Sequence, residues 1–123
     1  MLSNRVHKII IFEVDYDASR THIAKAGALI VRANGKREWE VWTRDEIVGF
    51  IDNRTPCFTA NFDELGEPQY ATVQVFTRRG MKFIKTEPND TLADNLENLP
   101  RIGCYQAILH FFHNRLANFE PYS

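Results

Sequence analysis

Four groups of residues have the types and spacing to do chemistry. Asp90, Asp94 and Asn95 could supply several of the oxygen ligands that a hard cation needs, or an acid and a base. Their spacing fits no calcium loop, and Asp and Asn are the residues that turns and helix caps select in any case. His110 and His113 stand at i and i+3, on one face of a helix, where they could share a metal. A catalytic zinc takes three protein ligands, and no further Cys or His lies at a supporting distance, so a solvated polar face accounts for the pair. Cys104 with His110 would make a nucleophile and base, but an apolar-facing cysteine is inert. An enzyme site near Asp90, Asp94 and His110 is therefore the weakest of the functional readings, and no cofactor or metal is implied.

The remaining group is basic. Arg78, Arg79, Lys82 and Lys85 fall within eight residues of one another, the one concentrated positive patch in the chain. Between them, Arg79-Gly80-Met81-Lys82-Phe83-Ile84 partly resembles the aromatic and basic strand on which RNA-recognition domains stack bases, with Met81 and Lys82 breaking that pattern. Fifteen Lys and Arg against sixteen Asp and Glu give no net basic field to hold phosphate, so any nucleic-acid contact must be local to this patch.

The elements that position these residues can be read from periodicity. Arg5 to Val14 contains Ile9-Ile10-Ile11-Phe12, an unbroken apolar run expected of a strand buried on both faces and central in its sheet. His7 at its start has no partner in sequence and receives no role. The polar Asp15 to Arg20 makes a connection, and His22 to Ala33 leads into Asn34-Gly35, the strongest short hairpin signal. A two-residue loop would pair Val31 with Glu38 and Leu29 with Glu40. A three-residue loop with a glycine bulge instead groups Leu29 and Val31 with Trp39 and Val41, and is preferred.

Thr43-Arg44-Asp45-Glu46 is a capping box, so a helix begins at Asp45 or one residue earlier. Ile47, Val48, Phe50 and Ile51 form its core stripe, and it must end before Pro56. Cys57 to Phe62, Tyr70 to Thr77 and Met81 to Thr86 read as three antiparallel strands in a meander. Alternation predicts that Ala71, Val73 and Val75 face the core, with Tyr70, Thr72, Gln74 and Phe76 opposite. Thr91 caps a short helix with Leu92, Leu96 and Leu99 on one face, stopped at Pro100. Ile102 to Phe119 has the pattern of a long helix whose broad apolar stripe needs covering.

One stretch carries a resemblance. Tyr70 to Cys104, through Thr86, Asp90, Asp94-Asn95-Leu96 and Leu99-Pro100 ahead of a cysteine, resembles the bacterial family known as domain of unknown function thirty-eight ninety-two. The upstream WTRDEIVGFIDNR and PCFTAN resemble that family's helix and following strand. The resemblance covers about Val6 to Cys104. It implies a short strand-rich domain with one helix midway, and it brings no activity, substrate or catalytic residue.

Length and 44% apolar content suit one domain over residues 1–123. The expected fold is α+β: an antiparallel sheet of five or six strands, a mid-chain helix, a short capped turn of helix, and a C-terminal helix over 101–119 that packs on the sheet or in a dimer interface. No run is long enough for a signal peptide or membrane span, which makes a cytoplasmic location the expectation. Cys57 and Cys104 lack metal-ligand spacing and are expected as reduced thiols. The expected function is a non-catalytic binding or adaptor module that self-associates through the C-terminal helix or meets another protein. Nucleic-acid binding through Arg78 to Lys85 is the alternative.

Overall fold

A computed structural model describes residues 5–18, 22–62, 65, 68–86 and 99–102. They form β1 (Val6–Tyr16), β2 (Ile23–Arg32), β3 (Arg37–Thr43), α1 (Arg44–Asp52), β4 (Cys57–Phe62), β5 (Pro68–Arg78) and β6 (Met81–Thr86). The six strands make one sheet in the order β3-β2-β1-β4-β5-β6. The apolar run of β1 is at its centre, as its two-sided hydrophobicity requires.

Two expectations are corrected. The described residues are mostly β with a single helix, so the α+β class does not hold. The helices assigned to residues 91–99 and 101–119 lie, apart from Leu99 to Ile102, outside the described residues. The sheet is also mixed: β1 pairs antiparallel with β2 but parallel with β4, through Ile9 with Cys57, Ile10 with Phe58 and Ile11 with Thr59. The cause is the connection. A parallel pair needs a crossover of about a dozen residues, and α1 with its flanking turn carries the chain past β2 and β1 to the far side of β1.

The first hairpin takes the bulged register. Leu29 pairs with Trp39 and Val31 with Arg37, leaving Ala33-Asn34-Gly35 as a three-residue loop with Gly35 at φ 87°. Arg32 lies 3.4 Å from both Glu38 and Glu40. These are half-exposed pairs worth a few tenths of a kcal/mol each.

The helix is fixed at both ends. Glu46 donates its amide to Thr43 Oγ1 at 3.3 Å, and the Thr43 amide donates to Glu46 Oε1 at 3.1 Å. At the other end Thr55 N–H reaches Phe50 O and Arg54 N–H reaches Ile51 O, both at 2.9 Å, with Arg54 left-handed at φ 67°. That pair of bonds is a Schellman closure, and Pro56 follows it.

The two faces of the sheet are packed separately. Ile9, Ile11, Val14, Ala26, Ala28, Ile30 and Cys57 pack with Ile47 and Val48 of α1 and with Val73, Ile84 and Leu99. Ile10, Phe12, Leu29 and Ala60 pack on the other face, beside Trp39 and Tyr70. Ile11 and Val14 share a face although regular alternation would oppose them, because a register shift between Ile11 and Glu13 turns the strand. Past β4, the β1 amide of Val14 donates to Pro100 O at 2.9 Å, and Arg101 pairs with Val14 in a parallel bridge. Leu99 is buried in the helix-side core, and the Arg101 guanidinium lies 4.6 Å above the Tyr16 ring. The Leu-Pro pair thus ties the later chain to the central strand.

Candidate ligand-binding cleft

The β5–β6 hairpin is built by alternation and one tight turn. Arg78 pairs with Met81, Phe76 with Phe83 and Gln74 with Lys85, and residues directly opposite share a face. That face therefore carries Arg78, Phe76, Gln74, Met81, Phe83 and Lys85. The other carries Lys82 and Ile84 towards α1, where Lys82 Nζ meets Asp52 Oδ2 at 2.7 Å. Arg79 and Gly80 form the two-residue turn at φ 53° and 77°, the positive values that a type I′ turn demands at both central positions.

Phe83 is the centre of the hairpin face and is 6% exposed. His22, at the entry to β2, lies against it with ring centroids 4.1 Å apart and planes tilted by 31°, and the Arg44 guanidinium lies 5.0 Å from its centroid. Arg44 also donates to Ile23 O at 3.5 Å, which ties the first turn of α1 to the start of β2. Phe76 touches Phe83 at 5.5 Å and carries Lys85 Nζ at 5.2 Å. Stacked cations and rings of this kind contribute about 0.5–1 kcal/mol each when partly exposed.

At the turn end His22, Arg78, Arg79, Met81 and Phe83 line an open cleft of about 310 Å³, at the lower end of small-ligand pockets. Met81 is 54% exposed at its rim. No ion pair neutralises Arg78 or Arg79 among the described residues. The cleft thus offers two open guanidiniums, an imidazole and an apolar rim, which together suit an anion attached to a flat or apolar body.

The four basic residues expected from sequence are divided by the fold. Arg78 and Arg79 stand at the cleft, Lys85 lies further along the same face on Phe76, and Lys82 is turned to the helix side. His22 and Arg44 were not foreseen. Each is far from Phe83 in sequence, and neither has a local signature. Asp90, Asp94, Asn95, Cys104, His110 and His113 lie outside the described residues. Among the described residues no three metal-ligating side chains come together, and no helix is long and apolar enough to cross a membrane. Burial raises the Cys57 thiol far above its ordinary range.

The family model described as Protein of unknown function (DUF3892) matches residues 11–100. The chain belongs to this family. The match runs from the centre of β1 to Pro100, so it takes in both hairpins, the helix and the Leu-Pro pair that meets Val14. His22, Arg44, Arg78, Arg79, Met81 and Phe83 of this family member all lie within it. No curated protein and no solved structure matches the chain.

Proposed function

We propose that this chain is a non-catalytic binding module whose ligand surface is the turn end of the β5–β6 hairpin together with His22. The observation that carries the reading is the cleft itself: Arg78 and Arg79 line it together with Phe83 and have no ion-pair partner among the described residues. Guanidiniums left open beside an apolar floor bind anions more strongly than they do on a flat wet surface, because the low-dielectric wall reduces screening.

Arg79 holds φ 53°, a conformation that costs a non-glycine residue about 1 kcal/mol and that Asn or Gly would adopt more easily. Titration of the isotope-labelled chain with inorganic polyphosphate tests the reading by NMR. The amides of His22, Arg78, Arg79 and Met81 are expected to shift, and to return as salt is raised. Hairpin amides that stay in place at millimolar polyphosphate would defeat it.

A further inference from the structure

Resting on that reading, we infer that the ligand is single-stranded nucleic acid, held over two to three nucleotides along the outer face of the hairpin. The order of groups on this face is the reason. Arg78, Arg79 and Met81 stand at the turn, His22 lies against Phe83 in the middle, and the Lys85 ammonium lies over Phe76, the cross-strand partner of Phe83. Met81 to Lys85 spans about 13 Å at roughly 3.3 Å per residue, and the alternation of cation, flat ring and cation matches the alternation of phosphate and base in an unpaired strand.

The rings have different parts. Phe83 is buried, with the tilted His22 ring and the Arg44 guanidinium against it, so a base cannot take its faces. His22 is the half-buried outer ring, and its imidazole is the platform on which a base stacks, backed by Phe83 at 4.1 Å with the two planes 31° apart. A duplex buries its bases and offers only backbone here, so it engages the arginines without the ring. An acidic peptide would use the arginines and leave the flat surface idle.

The mixed composition of the chain sets the strength. With a net charge of −1 there is no long-range attraction, so the contacts are local and few. Affinity should fall with salt at a slope of about −2 on logarithmic axes, as roughly 0.7 per phosphate over three phosphates predicts.

The test is fluorescence polarisation of labelled ten-nucleotide oligo-U and oligo-dT, of a duplex of equal length, and competition by inorganic polyphosphate, with the full chain at several salt concentrations. Single strands are expected to bind several-fold tighter than the duplex. Arg79→Asn should reduce the salt slope by about 0.7 while the chain stays folded. His22→Ala should weaken single-strand binding roughly fivefold or more, with His22→Phe restoring it. Polyphosphate binding that depends on Arg79, with no single-strand binding, would overturn the nucleic-acid inference and leave the binding surface standing. Failure of every probe at low salt would remove both. Duplex binding equal to single-strand binding, unaltered in His22→Ala, would also overturn the inference.

Discussion

Gly27 lies against the indole of Trp39: a Cβ on Gly27 would stand 2.7 Å from Trp39 Cζ2 and 3.2 Å from Glu13 Oε1. Glu13 is wholly buried, and Trp39 packs on Phe12 with ring centroids 6.1 Å apart. The ring therefore cannot swing aside without disturbing the outer core. Gly27→Ala is expected to destabilise the fold by about 1–3 kcal/mol through overpacking. Urea unfolding and the near-ultraviolet signal of the tryptophans measure it, and an unchanged midpoint with an unchanged spectrum would show that the contact is relieved at no cost.

Arg79→Asn should act in the opposite direction on stability. The turn demands positive φ, and Arg79 supplies 53° against its preference. Asn tolerates the left-handed region, so a gain of about 0.5–1 kcal/mol is expected. Arg79→Gly should gain less, because glycine also loosens the unfolded chain. Thermal unfolding in the absence of ligand checks both, and a lower melting temperature for Arg79→Asn would be the contrary result.

Tyr70 gives a pH dependence whose sign is fixed. Burial raises its phenol from 10.0 to about 12, so the neutral form is favoured in the native state. Its contribution is fully present below pH 10 and is lost as pH rises from 10 through 12, where the unfolded chain has ionised first. The loss is about 1–2 kcal/mol over that window, below what the full shift would give because the ring is only partly buried. Comparing Tyr70→Phe with the parent by denaturant titration isolates it: the variant should fall less steeply with pH, and parallel curves would contradict the assignment.

Cys57 should be inert while the protein is folded. Its thiol is 2% exposed and its ionisation is suppressed by burial, and only the thiolate attacks a disulfide reagent. At pH 8 a thiol-reactive chromophore is expected to modify it only on unfolding, with a rate that increases with urea. Rapid labelling in native buffer, located at Cys57 by mass spectrometry, would rule that out.

What was legible in the sequence follows the range of each interaction. The capping box at Thr43, the bulged loop at Gly35 and the inward face of Ala71, Val73 and Val75 depend on neighbours a few residues apart, and all three appear as expected, with Ala71 buried and Val73 and Val75 in the helix-side core. The parallel partner of β1 depends on where a crossover lands, which no local pattern specifies, although Ile9 to Phe12 already required a neighbour on each side. The expected α+β class, with a mid-chain helix and two more after residue 90, gives way to a mostly β chain with one helix among the described residues. The strand-rich domain with one midway helix, implied by the family resemblance, agrees with the elements seen. At the cleft, the arginines were visible as a charge cluster. His22 and Arg44 became neighbours of Phe83 only when the chain folded.

β5 is shared end to end rather than side by side. Pro68 to Thr72 pair with β4, and Val73 to Arg78 pair with β6. The hydrogen-bond ladder therefore changes partner between Thr72 and Val73, and beyond that point the β5–β6 ribbon is held to the rest of the fold by side-chain packing: Val73 and Ile84 in the helix-side core, Phe83 against His22 and Arg44. Such a ribbon is expected to open as a cooperative unit while β1, β2 and β4 stay closed. Amide exchange along residues 73–86 should accordingly follow a single opening free energy below that of Ile9 to Phe12, and a ligand held at the turn would raise that value for the whole ribbon at once.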